Sequence, residues 1–248
     1  MFTLHVPIVL PPGHSFFDNG QYPVPPLPGN LIVSSVAHEN APLFLSIAGF
    51  QTEPEARDFW PTLRASLLWA TLQAEHSMAI DTGDVVTADK GMFDGSRPTV
   101  FATGGPTPYY ASGSAQHGLH ISVLSNYLND GMGKGLSAKL KAKAEVALAL
   151  ELFSGFQFAG TRNSQFVVLF SALEVMETKS TKKRGATIKR VKDALSKIGH
   201  PDPKFVGKRL DKLYENRNDL IHEALPISDA QLSELAEIVR STLKALLS

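Results

Sequence analysis

The chain contains no cysteine. This absence excludes disulfide bonds, thiolate zinc sites, iron–sulfur clusters and a cysteine nucleophile, and it suits the cytoplasm, where we expect the protein. Apolar runs that approach the roughly 20 residues of a membrane-spanning helix are absent too, so we expect no contact with a membrane. The apolar start MFTLHVPIVL has no basic residues before it and no small-residue cleavage site. It is therefore predicted to be a first strand, not a signal peptide.

The chain also has no net charge, because 24 Lys and Arg residues balance 24 Asp and Glu residues. The two halves nevertheless differ. Residues 1–135 hold five basic against eleven acidic residues, and residues 136–248 hold nineteen against thirteen. The basic half is where a nucleic acid would bind, although lysine-rich helices with solvated faces would give the same asymmetry.

The distribution of apolar and turn-forming residues predicts an α+β protein of two domains. Over residues 1–135, short β-branched runs such as LHVPIVL, NLIVSSVAH and APLFLSIAGF surround one helical pattern, which predicts a mixed domain with short strands. We expect strands and loops to continue from Asp81 to about Ser125, and GMGKG at 131–135 to be a linker. Residues 136–248 show helical spacing throughout and predict an all-α bundle. Its first helix is expected over LSAKLKAKAEVALALELFSGF (136–156), and its last is expected to be capped by Ser228 with Gln231.

The stretch LYENRNDLIHE, residues 213–223, combines three residue types suited to RNA cleavage. His222 can give and take protons near neutral pH, Arg217 can stabilise charge on a phosphate, and Asn218 can orient the imidazole or bond a ribose. No metal is needed, because the 2′-hydroxyl of RNA is a nucleophile held beside its phosphate. On a regular helix Asn218 and His222 share a face, whereas Arg217 lies about 140° from His222. By itself, an ordinary solvated helix face would show the same pattern.

Three segments of the second half resemble the HEPN domain, the helical bundle of many prokaryotic RNases and toxins, and in particular its ApeA-like branch. FVVLFSALEVM (166–176) is similar to the long apolar helix of that branch, and TIKRVKDAL (187–195) to the next helix. LYENRNDLIHE is similar to the signature, in which an arginine and a polar residue are followed a few residues later by a histidine. The resemblance covers residues 137–248.

This resemblance implies a metal-independent endoribonuclease that uses no cofactor and leaves 2′,3′-cyclic phosphate ends. His222 would be the general acid and base, Arg217 would stabilise the developing phosphorane charge, and Asn218 would orient one of them. Glu174 and Tyr214 would support the site, although Glu174 fits a buried, paired carboxylate equally well and Tyr214 fits a core aromatic residue better.

The resemblance also implies a homodimer through the bundle and a role in antiviral defence or as a toxin. The first domain would then sense a trigger or bind a regulatory protein. The alternative is a non-catalytic HEPN scaffold for dimerisation or for binding RNA or protein.

The basic run KSTKKRGATIKRVK holds seven Lys and Arg residues between Lys179 and Lys192. It is a candidate contact with an RNA backbone and equally a solvated loop between helices. The candidate RNA-binding residues are Lys182, Lys183, Arg184, Lys189 and Arg190.

The first half offers weaker rivals. HGLHISVL places His120 two residues before Ser122, which resembles one half of a two-histidine phosphoesterase motif. The second half of that motif is lacking, because His5 is followed by proline where the hydroxyl residue should be. A strand histidine that faces a loop is the better interpretation of His120. A metal site from His117, His120, Asp81 and Asp84 has no spacing in its favour, and GMGKG lacks the phosphate-loop spacing.

Overall fold

The computed structural model describes most of the chain, namely residues 2–10, 14–16, 21–23, 30–34, 43–74, 79–80, 86–89, 117–176 and 184–248. The chain divides into two compact units, Met1–Ser137 and Ala138–Ser248. Helices and mainly antiparallel strands occupy the first unit and helices alone occupy the described part of the second, so the fold class is α+β.

The first unit is built on an antiparallel sheet. The described strands of this unit are β1 (Phe2–Val9), β2 (His14–Phe16), β3 (Gln21–Pro23), β4 (Asn30–Ser34), β5 (Leu43–Phe50), β6 (Ala79–Ile80), β7 (Val86–Asp89) and β8 (His117–Leu119). The sheet runs in the order β3-β4-β5-β1, and β6 and β7 both pair with the remaining edge of β1. Strands β2 and β8 form a separate parallel pair. The three runs expected to be strands, LHVPIVL, NLIVSSVAH and APLFLSIAGF, overlap β1, β4 and β5 respectively.

The core of this unit lies between the sheet and two helices, α1 (Glu53–Ala74) and α2 (Ile121–Gly133). Successive residues of a strand point to opposite faces, and Leu4, Val6 and Ile8 of β1 all enter this core. Thr3 and His5 belong to the other face of β1 and are buried as well. Strand β1 is therefore covered on both sides, as expected for a central strand.

The expectation that strands and loops continue to about Ser125 is wrong. Strand β8 ends at Leu119, and α2 begins at Ile121 with His120 as its N-cap in an extended conformation. The local reason is the spacing of the apolar residues after His120, since Val123, Leu124, Tyr127 and Leu128 repeat every three to four positions and pack onto the core.

The expectation that GMGKG is a linker is also wrong. Its first three residues end α2, and a tight turn leads into α3 (Leu136–Ala142). A Cβ added at Gly131 would lie 3.0 Å from the Cα of Ser66 in α1, so this glycine allows the two helices to approach. Gly135 has a φ of +61°, a conformation that favours glycine. The glycines thus serve packing and a turn.

The second unit is a helical bundle. After α3 it contains α4 (Ala144–Gly155), a short 3-10 turn (Phe156–Phe158), α5 (Arg162–Val175), α6 (Arg184–Lys197), α7 (Pro203–Glu223) and α8 (Asp229–Leu247). Helix α8 contacts α4, α5, α6 and α7, so it is the central element. Its buried residues are Leu235, Ala236, Ile238, Val239, Thr242, Leu243 and Leu247.

Local sequence sets the ends of these helices. The predicted capping box of α8 is confirmed, because the Ser228 hydroxyl accepts the Gln231 N–H and the Gln231 side chain accepts the Ser228 N–H. The helix predicted over residues 136–156 is instead two helices, since Lys143 leaves the helical conformation with φ −131° and ψ 73°. No described helix is long and apolar enough to cross a membrane.

Candidate active site on helices α5 and α7

Helix α7 carries the residues of the LYENRNDLIHE stretch. The Asp202 side chain accepts the Phe205 N–H at 2.8 Å at its start, and Pro203 occupies the first turn. Helix α7 is continuous to Glu223, so Arg217, Asn218 and His222 all lie within its last two turns. Ala224 ends the helix in the left-handed conformation, with φ 55°.

Arg217 is held by Glu174 of α5. Its Nη1 lies 3.2 Å from Glu174 Oε1, and its Nη2 donates to Glu174 Oε2 at 3.4 Å. The two side chains are 26% and 22% exposed, so water screens the pair only in part. The guanidinium also lies 5.6 Å from the centroid of the Phe170 ring. The carboxylate and the ring together fix the orientation of Arg217.

Tyr214 lies one turn before Asn218 and is buried against α5. Its ring meets the Phe170 ring edge-on at 4.8 Å. Its hydroxyl oxygen is buried and makes no hydrogen bond of good geometry to any described residue. Burial raises the pKa of Tyr214, and the nearby Thr187 hydroxyl opposes this rise. Tyr214 is therefore a core aromatic residue beneath Arg217, and the neutral phenol is its stable form.

Asn218 and His222 lie at the surface. Both are exposed, and on a regular helix residues four apart are neighbours on one face. His222 is in the last turn of α7. Arg217 is five residues from His222, about 140° around the helix axis. The structure thus brings Asn218 and His222 together on one face and pairs Arg217 with Glu174 on another.

Exposed apolar side chains lie at the C-terminal end of α7. Leu210, Tyr214, Arg217 and Ile221 follow one stripe of α7 at spacings of four, three and four residues. The first two are buried, but Ile221 is 55% exposed, and Leu225 just after the helix is 49% exposed. The buried stripe of α7 therefore extends into an apolar surface that no described residue covers fully.

The same holds for the helix that supplies Glu174. Val167 lies seven residues before Glu174, on the same face of α5, and is 38% exposed. Exposed apolar groups thus occur on both helices that form the Arg217–Glu174 pair.

The basic residues of the predicted RNA contact are partly committed to ion pairs. Arg184 Nε donates to Asp211 Oδ1 at 2.5 Å and its Nη2 lies 3.2 Å from Glu215 Oε1. Lys189 pairs with Asp193 at 2.6 Å. Arg190 has a buried Nε with no hydrogen-bond partner in the described part of the chain. Lys182 and Lys183 lie outside the described residues.

The rivals in the first unit do not form the arrangements that their motifs would require. His5 is fully buried, and its Nδ1 lies 2.7 Å from Ser46 Oγ. Burial lowers its pKa to about 4. His120 is exposed at the start of α2 rather than placed in a strand. Its interpretation as a strand histidine is therefore wrong.

Metal ligation finds no support in the part of the chain that is described. Its residues contain no group of three or more His, Cys, Asp or Glu side chains that could hold a metal ion. Asp81 and Asp84 of the weak metal-site alternative lie outside the described residues.

Two features of the site were missed by sequence reasoning. Phe170 stacks near Arg217, and its spacing of four residues from Glu174 on α5 was a usable signal. The exposed Ile221 could have been found because it extends the apolar stripe of α7 one turn beyond Arg217. The pairing of His5 with Ser46 joins residues 41 positions apart and had no local signal.

Comparison of the chain with known proteins returned no match. No protein-family model matches it, and neither the search of curated proteins nor that of solved structures found a similar protein.

Proposed function

We propose that the protein is a metal-independent endoribonuclease of HEPN type that acts as a homodimer. The observation that carries the proposal is the composition of the last two turns of α7. They present an accessible histidine and asparagine on one face and, on another face, an arginine whose guanidinium is fixed by Glu174. These residues supply a proton-transfer group and a permanent positive charge, the two requirements of metal-free RNA cleavage.

In the proposed reaction His222 removes the proton from a ribose 2′-hydroxyl. The oxygen attacks the adjacent phosphorus, and the bond from phosphorus to the 5′-oxygen of the next nucleotide breaks. A protonated histidine supplies the proton to that 5′-oxygen. The products are a 2′,3′-cyclic phosphate and a free 5′-hydroxyl, and no water or metal is consumed. Arg217 stabilises the negative charge that accumulates on the phosphorus oxygens, and Asn218 orients the imidazole.

The geometry of one protomer supports the proposed homodimer. Because Arg217 and His222 point about 140° apart on one helix, a single copy does not direct both at one phosphate. A second copy that packs against the end of α7 can place its own His222 opposite Arg217. The exposed Ile221 and Leu225 supply apolar surface for that contact. That His222 acts first as base and, once protonated, as acid toward the 5′-oxygen, so one Arg217–His222 pairing completes the site.

The test is an RNase assay in EDTA with mapping of the product ends. Wild-type protein should leave 2′,3′-cyclic phosphates, and His222→Ala and Arg217→Ala should each lower the rate by at least about 100-fold. His200→Ala is the matched histidine control in the same unit. Arg209→Ala is the matched arginine control, because Arg209 also lies on α7 in an ion pair, with Glu234. Both controls should cleave at the wild-type rate.

The outcomes separate the enzyme from the scaffold alternative. Rates of His222→Ala and Arg217→Ala equal to those of their controls would remove the proposed site. A wild-type dimer that binds RNA and leaves it intact would favour the non-catalytic scaffold.

The role in antiviral defence or as a toxin is likewise a proposal. An RNase that cleaves host RNA should stop growth when it is expressed in bacteria. Growth should recover with His222→Ala at equal protein level, and growth arrest by both proteins would contradict a toxic RNase activity.

A further inference from the structure

A basic groove lies on the second unit away from the α7 signature. It is formed by α6, the start of α4 and the end of α8, and has a volume of about 480 Å³. Its lining contains four basic and two acidic side chains, namely Lys143, Lys189, Arg190, Lys197, Glu145 and Asp193. Three of the cations lie on α6, and the fourth, Lys143, is the N-cap residue of α4, so two elements supply positive charge to one space.

The positive charge of the groove is only partly neutralised. Asp193 is paired with Lys189 at 2.6 Å. The pKa of Asp193 is lowered first by that hydrogen bond and further by Lys192 and Lys197, which indicates a positive local potential. Lys143 and Lys197 are exposed, and the buried Nε of Arg190 has no hydrogen-bond partner in the described part of the chain. An unpaired buried donor costs free energy unless a ligand satisfies it.

The backbone at the groove also favours an anion. Helix α4 starts at Ala144 without a side-chain cap, so its first N–H groups carry partial positive charge, which Glu145 in the first turn offsets in part. The carbonyl oxygens at the end of α8 would oppose this charge. They are instead covered by lysines, since Lys143 Nζ donates to the Leu246 carbonyl at 3.1 Å and Lys139 Nζ donates to the Leu247 carbonyl at 2.8 Å.

The lining distinguishes a polymer backbone from a free nucleotide. No aromatic side chain is among the described residues that line the groove, and its neutral members are Ala186, Ala194 and Leu246. A pocket for a base normally offers an aromatic stacking surface, and sequence is read through contacts to base edges. Lysines and an arginine with only small apolar neighbours fit phosphates better than bases.

We infer that this groove binds the phosphodiester backbone of RNA without regard to sequence, through Lys143, Arg190 and Lys197. The inference rests on the proposed function for the identity of the polyanion. The inference extends the proposed function, because it places the RNA-binding surface on α4, α6 and α8 rather than on the α7 signature. Lys189 contributes less because Asp193 already pairs with it.

The test measures binding of a 12-nucleotide 2′-O-methyl RNA to the full chain between 50 and 300 mM salt. This probe lacks the 2′-hydroxyl nucleophile, so cleavage cannot interfere. Three phosphate contacts predict a slope of about −2 for log affinity against log salt, at about −0.7 per contact for a single strand. The double variant Arg190→Gln with Lys197→Gln should reduce the slope to about −0.7. At 0.1 M salt its affinity should fall by about 25-fold.

Controls address charge and folding. Lys204→Gln with Lys208→Gln removes the same charge from exposed positions of α7 and should leave the slope unchanged. Because Arg190 is partly buried, its replacement by Gln could disturb packing as well as remove charge. Arg190→Lys keeps the charge and should therefore keep the wild-type slope. Lys197→Gln alone, at an exposed position, should weaken binding by about fivefold.

A wild-type slope in the double variant, or an equal loss in the control, would overturn the inference. Competition by AMP at the concentrations effective for the oligonucleotide would overturn it as well, because it would indicate a nucleotide pocket. The result is independent of catalysis. Binding that depends on the groove in a protein that cuts no RNA would refute the proposed function alone, and cleavage by a protein whose binding ignores the groove would refute this inference alone.

Discussion

The Arg217–Glu174 pair gives the sharpest stability prediction. Removal of one partner of a fully buried ion pair costs about 3–5 kcal/mol, whereas exposed pairs couple by less than about 1 kcal/mol. With 26% and 22% of the two side chains exposed, we expect a coupling free energy of about 1–2 kcal/mol. The measurement is a double-mutant cycle of Glu174→Gln and Arg217→Gln by urea denaturation.

The control for this cycle is the exposed pair of Arg57 and Glu53 on α1, whose side chains are 64% and 45% exposed. Its coupling should be about 0.3–0.5 kcal/mol. A coupling for Arg217 and Glu174 no larger than this value would refute the argument that Glu174 fixes the arginine. In the cleavage assay Glu174→Gln should lower kcat without changing the pH profile, because Glu174 positions Arg217 and exchanges no proton with RNA.

Three further predictions concern the two units. Ala224→Gly should stabilise the protein by about 0.5–1 kcal/mol, since Ala224 has a φ of 55°; an unchanged or lower urea midpoint would contradict the backbone assignment. Ser228→Ala should destabilise it by about 1 kcal/mol through loss of the α8 capping box, and Ser241→Ala is a control within the same helix that should cost less. Burial lowers the pKa of His5 from 6.5 to about 4, so as the pH falls His5 is protonated in the unfolded state before it is protonated in the folded state. The stability that His5 contributes is then complete above pH 6.5 and decreases by up to about 3 kcal/mol as the pH falls to 4. Urea denaturation of the wild type and of His5→Gln at pH 7, 5.5 and 4.5 should show this difference, and parallel pH dependences would exclude it.

The sequence predicted those elements whose signals are local. β-branched runs located β1, β4 and β5, and Ser228 with Gln231 located the start of α8. The start of α2 was missed because the short β8 and the helix follow each other within HGLHISVL, where apolar residues fit both periods. The glycines of GMGKG favour a linker when only the local sequence is considered. Their helix contact depends on Ser66 of α1, which lies far away in sequence.

The site was predictable in its residue types but not in its pairings. The spacing of Arg217, Asn218 and His222 on a helix already fixed which of them share a face. The ion pair of Glu174 and Arg217 joins positions 43 residues apart. It depends on the packing of α5 against α7, which no local pattern shows. The groove at the start of α4 also depends on long-range packing, since it joins α6 to the end of α8. Burial and ion pairing decide which lysines of a basic run remain available, and neither is visible in composition.

The central claim is that Arg217 of one copy and His222 of another act on the same phosphate. The most direct measurement mixes Arg217→Ala and His222→Ala proteins, each inactive alone, after subunit exchange has been verified by mass. Half of the dimers are then mixed, and each mixed dimer retains one of its two Arg217–His222 pairings. The mixture should recover about a quarter of the wild-type cleavage rate in EDTA. No recovery in a mixture that demonstrably contains mixed dimers would contradict it.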